Sequence, residues 1–121
     1  MNSHAAIARC LYGEDRDLVD QAISDFRQAD LSDKMKALLV IAGKVQQGGR
    51  LVTEEDVASA RAAGADDKAI HDTVLTAAAF CMFNRYVDGL ATWAPDEPAM
   101  YEQAGAERAE KGYLYLAASN E

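Results

Sequence analysis

The chain has 121 residues, half of them apolar by type, with 12 Lys and Arg against 20 Asp and Glu for a formal charge of −8. That length fits one domain over 1–121 with enough apolar content for a core without disulfide or metal support. The acidic balance excludes nucleic acid and anionic membrane as expected partners, and no apolar run approaches the roughly 20 residues of a membrane helix.

Helical punctuation runs along the whole chain. A first segment, Ser3 to Leu11, puts Ile7, Cys10 and Leu11 on one side and stops at Gly13. A second, Asp15 to Gln28, carries Leu18, Val19, Ala22, Ile23 and Phe26 at helical spacing, with acids in its first turn. Ser32 is the expected N-cap of a third helix, in which Met35, Leu38, Leu39, Ala42 and Val45 form the apolar stripe. Thr53 with Asp56 has the spacing of a capping box, Val52 and Val57 that of a hydrophobic staple, and Gly64 that of a left-handed terminator.

Asp66 or Asp67 caps the fifth and longest segment, which runs to about Leu90 and is apolar on nearly every face. A helix of that kind is expected to be central and buried. Pro95 and Pro98 interrupt the chain, and a sixth helix spans about Glu97 to Lys111, closed by Gly112. The tail Tyr113-Leu114-Tyr115-Leu116 is expected to dock on the domain or, by slight preference, on a second subunit, making 97–121 the oligomer-contacting region. The expected fold is therefore all-α, a bundle of about six helices around a long central buried one.

Two cysteines, Cys10 and Cys81, and two histidines, His4 and His71, show no metal-ligand spacing, so neither a metal nor a cofactor is expected. Packing as reduced, buried thiols is the plainer reading of both cysteines. The start MNSHAAIARC lacks the pattern of a signal peptide, so a cytoplasmic location is expected.

Residues 31 to 91, LSDKMKALLVIAGKVQQGGRLVTEEDVASARAAGADDKAIHDTVLTAAAFCMFNRYVDGLA, resemble the core of the alkylhydroperoxidase/carboxymuconolactone decarboxylase family. Shared features are an amphipathic helix, a short TEEDV helix, an AAGADD turn and a long helix closing with FNRYVDGL. The chain is most similar to the two-copy "peroxidase-related" branch, and the likeness extends back through LYGEDRDLVDQAI to about His4. The assignment hangs on Ala69 to Leu90 being one long interior helix.

The resemblance implies thiol-based peroxide reduction in active members, carried by a Glu and a Cys-x-x-Cys-x-x-x-His motif. Residues three and four apart share a helix face, so two sulfurs can close a disulfide within reach of the His. Placing Cys81 on the first cysteine puts Asn84 on the second, Asp88 on the His and Ala69 on the Glu. Asn cannot resolve a sulfenic acid, and a carboxylate at Asp88 opposes a nearby thiolate. A second placement puts His4 on the motif His, and the two cysteines would then fall ahead of Met1, so that either the catalytic half was lost or it lies upstream of this start. The chemistry is accordingly expected to be weak or lost.

Cys81 and His4 are thus the candidate catalytic residues, with a peroxide substrate and an external thiol reductant as the implied partners. Arg85, flanked by Phe83 and Tyr86, is expected to be buried and paired, with Asp88 or with an acid on another helix, or to anchor an anion. Asn84 and Asp88 are binding candidates, as is His71, which otherwise reads as a partly exposed helix residue. Trp93 and Tyr101 suit an aromatic pocket or plain packing. Two alternatives stand beside the redox reading. One is a decarboxylase-like enzyme in which Arg85 and His71 converge. The other is an oligomeric binding module on the same scaffold.

Overall fold

A computed structural model of the chain describes residues 2–114. Among them are six α-helices and no strand: α1 (Asn2–Tyr12), α2 (Asp17–Asp25), α3 (Asp33–Gln47), α4 (Glu54–Ala62), α5 (Asp67–Gly89) and α6 (Pro98–Lys111), with single 3-10 turns before α2 and α4. The all-α expectation holds. Contacts divide the chain into two compact units, one of residues 1–29 with 93–121, the other Asp30–Thr92.

The unit Asp30–Thr92 holds α3, α4 and α5, and its helix ends follow the sequence signals closely. Ser32 Oγ accepts from the Met35 amide at 3.2 Å. Thr53 and Asp56 form both bonds of a capping box, and Asp66 rather than Asp67 caps α5, accepting from the Ala69 amide at 2.8 Å. Each cap answers an amide that the helix itself leaves without a partner. Gly64, at φ +95°, ends α4 in the left-handed region open to glycine.

The core of this unit is Leu38 and Ile41 of α3 with Ala60 and Ala65, flanked by Ala37, Val45, Val52, Ala69 and Ile70. Ile41 is fully buried, whereas Met35 is 41% exposed. The buried face of α3 is therefore rotated from the expected stripe. Ile41 lies three residues after Leu38 and four before Val45, so it satisfies the same helical period as the residues first assigned to that face.

Lys44 Nζ reaches both carboxylate oxygens of Asp56 at 2.7 Å, tying α3 to the start of α4. This bond, with those from the Thr53 amide and hydroxyl, holds the Asp56 carboxyl at about 2, against an ordinary 3.8. A carboxyl lowered by folding stabilises the fold above its unfolded value and loses that contribution as pH falls through the folded one. The stability gap between the natural chain and Asp56→Asn is expected to be full at pH 7 and to close as pH falls from about 4 to about 2. Urea unfolding followed by circular dichroism measures it. A gap unchanged across that window would remove the Lys44–Asp56 charge from the account.

The other unit packs α1 against α6. Ala5, Ala6 and Ile7 are buried on α1, and Gly105 is buried on α6. A side chain at Gly105 would place its first carbon 2.8 Å from Ala6 Cβ and 2.9 Å from the Ala6 carbonyl carbon. The absence of a side chain thus sets how closely the two helices approach. Arg9 Nε and Nη2 donate to Asp20 at 2.9 and 2.5 Å, linking α1 to α2. Cys10 is exposed, which corrects its expected packing role. Leu11 is exposed as well, although it lies one turn beyond buried Ile7 on the same side of α1. Of the tail, Tyr113 stacks on His4 with ring centroids 6.1 Å apart. Tyr115 and Leu116 lie outside the described residues.

The largest difference from expectation concerns α5. It forms as one unbroken helix of 23 residues, but none of them is buried. Its first turns lie on the core through Ala69 and Ile70, while every residue from Met82 to Leu90 is exposed. Apolar residues on most faces make cover the expectation, and within the unit Asp30–Thr92 only the first turns of α5 receive it. The long helix is present, and its expected burial is not.

Candidate functional site

Four of the six site residues foreseen in the sequence lie on the C-terminal half of α5. Cys81, Asn84 and Asp88 follow at spacings of three and four, which places them along one side of the helix with Arg85 beside them. Cys81 is half-buried, and the other three are exposed. Arg85 Nη1 folds back one turn to donate to the Cys81 carbonyl oxygen at 3.2 Å. That corrects the expectation of a buried, ion-paired Arg85. A guanidinium in water needs no acid beside it, and among the described residues no ion pair joins it to Asp88.

His71 sits in the first turns of α5, exposed, with Nδ1 3.4 Å from Asp72 Oδ1. Lys68 also pairs with Asp72, one turn along. Fourteen residues of helix separate His71 from Arg85, about 21 Å along the axis. They do not converge, so the decarboxylase-like arrangement is absent. His4 belongs to the other unit, where burial first and then nearby positive charge, including that of Arg108, lower its pKa. A single half-buried thiol with an arginine one turn away is what the thiol motif amounts to here.

The unit of α1 and α6 carries two clefts. One, of about 240 Å³, is lined by Arg9, Ile23, Asp96, Tyr101 and Glu102 among others. Tyr101 donates its hydroxyl to the Pro95 carbonyl at 2.8 Å, and Trp93 is fully at the surface, so the two aromatics form no stacked pocket. The other, of about 180 Å³, brings together Arg9, Cys10, Arg16 and Glu102. Its guanidiniums already face acids, Arg9 on Asp20 and Arg16 on Glu102 at 3.7 Å. Such mutual neutralisation leaves little net field for an anionic ligand. Among the described residues no group of His, Cys, Asp and Glu could hold a metal ion.

The feature that sequence reasoning placed wrongly is the apolar side of α5. Opposite Asn84 and Asp88, the residues Leu75, Ala79, Met82, Phe83, Tyr86 and Leu90 fall within one arc of the helix. Leu75, Met82, Tyr86 and Leu90 are 59, 58, 66 and 63% exposed. The all-round apolar pattern of α5 signals a covered helix without indicating the covering surface. No helix among the described residues is long and apolar enough to cross a membrane, which removes a bilayer as that surface for a spanning segment. No protein-family model, curated protein or solved structure matches the chain.

Proposed function

We propose that the chain is an alkylhydroperoxidase-like helical scaffold whose thiol-based peroxide reduction is weak or lost, and which works by association through the apolar side of α5. The observation that carries the reading is that a 23-residue helix, apolar on most faces, has no buried residue. Monomeric proteins rarely leave a contiguous apolar surface of that extent in water. The family half of the proposal rests on the order of elements along residues 31 to 91 and on the unbroken α5, and the absence of any buried residue on that helix, where an interior one was expected, counts against it. Homo-oligomers in the cytoplasm are part of the same reading.

A residual peroxidase is the second reading, favoured by the Arg85 guanidinium held one turn from half-buried Cys81. A Cys81 thiolate would attack the peroxide O–O bond and become a sulfenic acid, with the alkoxide leaving and taking up a proton. An external thiol would then condense with the sulfenic acid, releasing water, and a second thiol would restore Cys81. Dithiothreitol-dependent consumption of cumene hydroperoxide by the natural chain is expected to stay within about twofold of Cys81→Ser. A rate ten or more times that of the variant, on the order of 1.4 kcal/mol in barrier, would overturn the loss of chemistry.

A further inference from the structure

We propose that α5 is a homodimerisation helix. Two copies pack antiparallel along the Leu75 to Leu90 stripe, Met82 and Phe83 lie at the two-fold axis, and Tyr86 of each chain seats over the partner's Ala79. The inference rests on the association reading above and adds the number of copies, the direction and the register.

Residues Leu75, Ala79, Met82 and Tyr86 are spaced four, three and four apart, the seam spacing of paired helices crossing at a shallow angle. Phe83 and Leu90 widen that seam on one flank. An antiparallel two-fold pairs each position with another of the same stripe. Leu75 meets Leu90, Met82 meets Phe83, and Ala79 meets Tyr86. The last pair is decisive for register. Ala79 is the one small residue along the middle of the stripe, and Tyr86 is its most exposed large one, at 66%. Each copy therefore carries both the hole and the knob. A parallel in-register pair would instead set Tyr86 against Tyr86 and leave a void at Ala79, which packing disfavours.

Charge allows the association. The chain as a whole carries −8, which opposes self-contact, but Thr73 through Leu90 contains only Arg85 and Asp88 and sums to zero. Both charges, with Asn84, lie away from the stripe and stay in water when it is covered. Its five large side chains, each more than half exposed, offer at most on the order of 700 Å² per chain, somewhat below the roughly 800 Å² per partner of a standard interface. The acidic excess is thus carried elsewhere on the chain, and the self-contact buries no charge.

Sedimentation equilibrium of the full chain, with circular dichroism as a control on folding, tests the proposal. The natural chain is expected to be a dimer at tens of micromolar, and Asn84→Glu, on the opposite side, is expected to remain one. Tyr86→Glu and Ala79→Glu, at least tenfold weaker in self-association, are expected to sediment as monomers with helicity unchanged. Direction is read in a Cys10→Ser/Cys81→Ser background. Leu75→Cys and Leu90→Cys chains, mixed and oxidised, are expected to form the mixed disulfide, and neither is expected to crosslink alone. Antiparallel packing holds the two copies of either position about 22 Å apart, too far for a disulfide. A Leu75→Cys chain that crosslinks to itself overturns this direction and register while association through α5 stands, and a dimer indifferent to Tyr86→Glu and Ala79→Glu overturns pairing through this stripe. A natural chain that is monomeric at 100 micromolar overturns the dimer and the association reading together.

Discussion

Ile41→Ala is expected to cost about 3 kcal/mol of folding stability, the middle of the range for truncating a buried aliphatic side chain to alanine. Ile41 is the one large side chain with no exposed surface among the described residues, and it contacts a core made otherwise of Leu38 and two alanines. Alanines cannot reach inward to fill a void, so little of the cavity collapses and its cost adds to the lost transfer energy. A small domain holds only about 5–15 kcal/mol in total, so the variant should show a visibly earlier urea transition. Met35→Ala supplies the contrast. Met35 shares the α3 stripe read from sequence but stands 41% exposed, and its truncation is expected to cost under about 1 kcal/mol. Equal losses at the two positions would mean that α3 turns a different face inward.

Gly105→Ala is expected to destabilise by about 1–3 kcal/mol, although alanine is the better helix former by about 1 kcal/mol. The added carbon would sit 2.8 Å from Ala6 Cβ, 2.9 Å from the Ala6 carbonyl carbon and 3.0 Å from the Ile7 amide nitrogen. Two of those three atoms are backbone, so relief requires α1 and α6 to separate rather than one side chain to swing away. Gly43→Ala on α3 isolates the opposing effect, because an added carbon there meets nothing within 4 Å. That variant is expected to gain about 0.5–1 kcal/mol. The opposite signs, read from thermal unfolding of the two variants, are the test. A stabilised Gly105→Ala would show that the α1–α6 approach is looser than described.

The helix boundaries were legible in sequence because they depend on a few neighbouring atoms. Ser32, the Thr53–Asp56 box, Gly64 and Gly112 all act within about one turn, and each appears where its signature stands. The choice between faces was less legible. Ile41 and Met35 both fit the period of the α3 stripe, and only the positions of Ala60 and Ala65 decide which is enclosed. Gly105 was invisible for a related reason. Its role comes from the backbone of a residue about a hundred positions earlier, and nothing local to α6 announces it.

The same physics explains what happened at the candidate site. Spacing alone places Cys81, Asn84 and Asp88 on one side of α5, and the helix is continuous through them. Spacing could not say that this side faces water, nor that Arg85 would turn back onto the Cys81 carbonyl. An apolar helix surface is a statement that something covers it, and a single sequence carries no address for the cover. Reading α5 as interior supplied that cover from the chain itself. Within its own unit α5 receives that cover only at its first turns.

The central claim, that the exposed side of α5 exists to be covered by association, is tested most directly by the solution mass of the natural chain. Light scattering coupled to size exclusion, with the eluting peak between about 1 and 100 micromolar, spans the range expected of an interface near the standard size. A species of twice the 13.1 kDa chain mass is expected, giving way to the single chain on dilution. A mass of one chain at every concentration would contradict it.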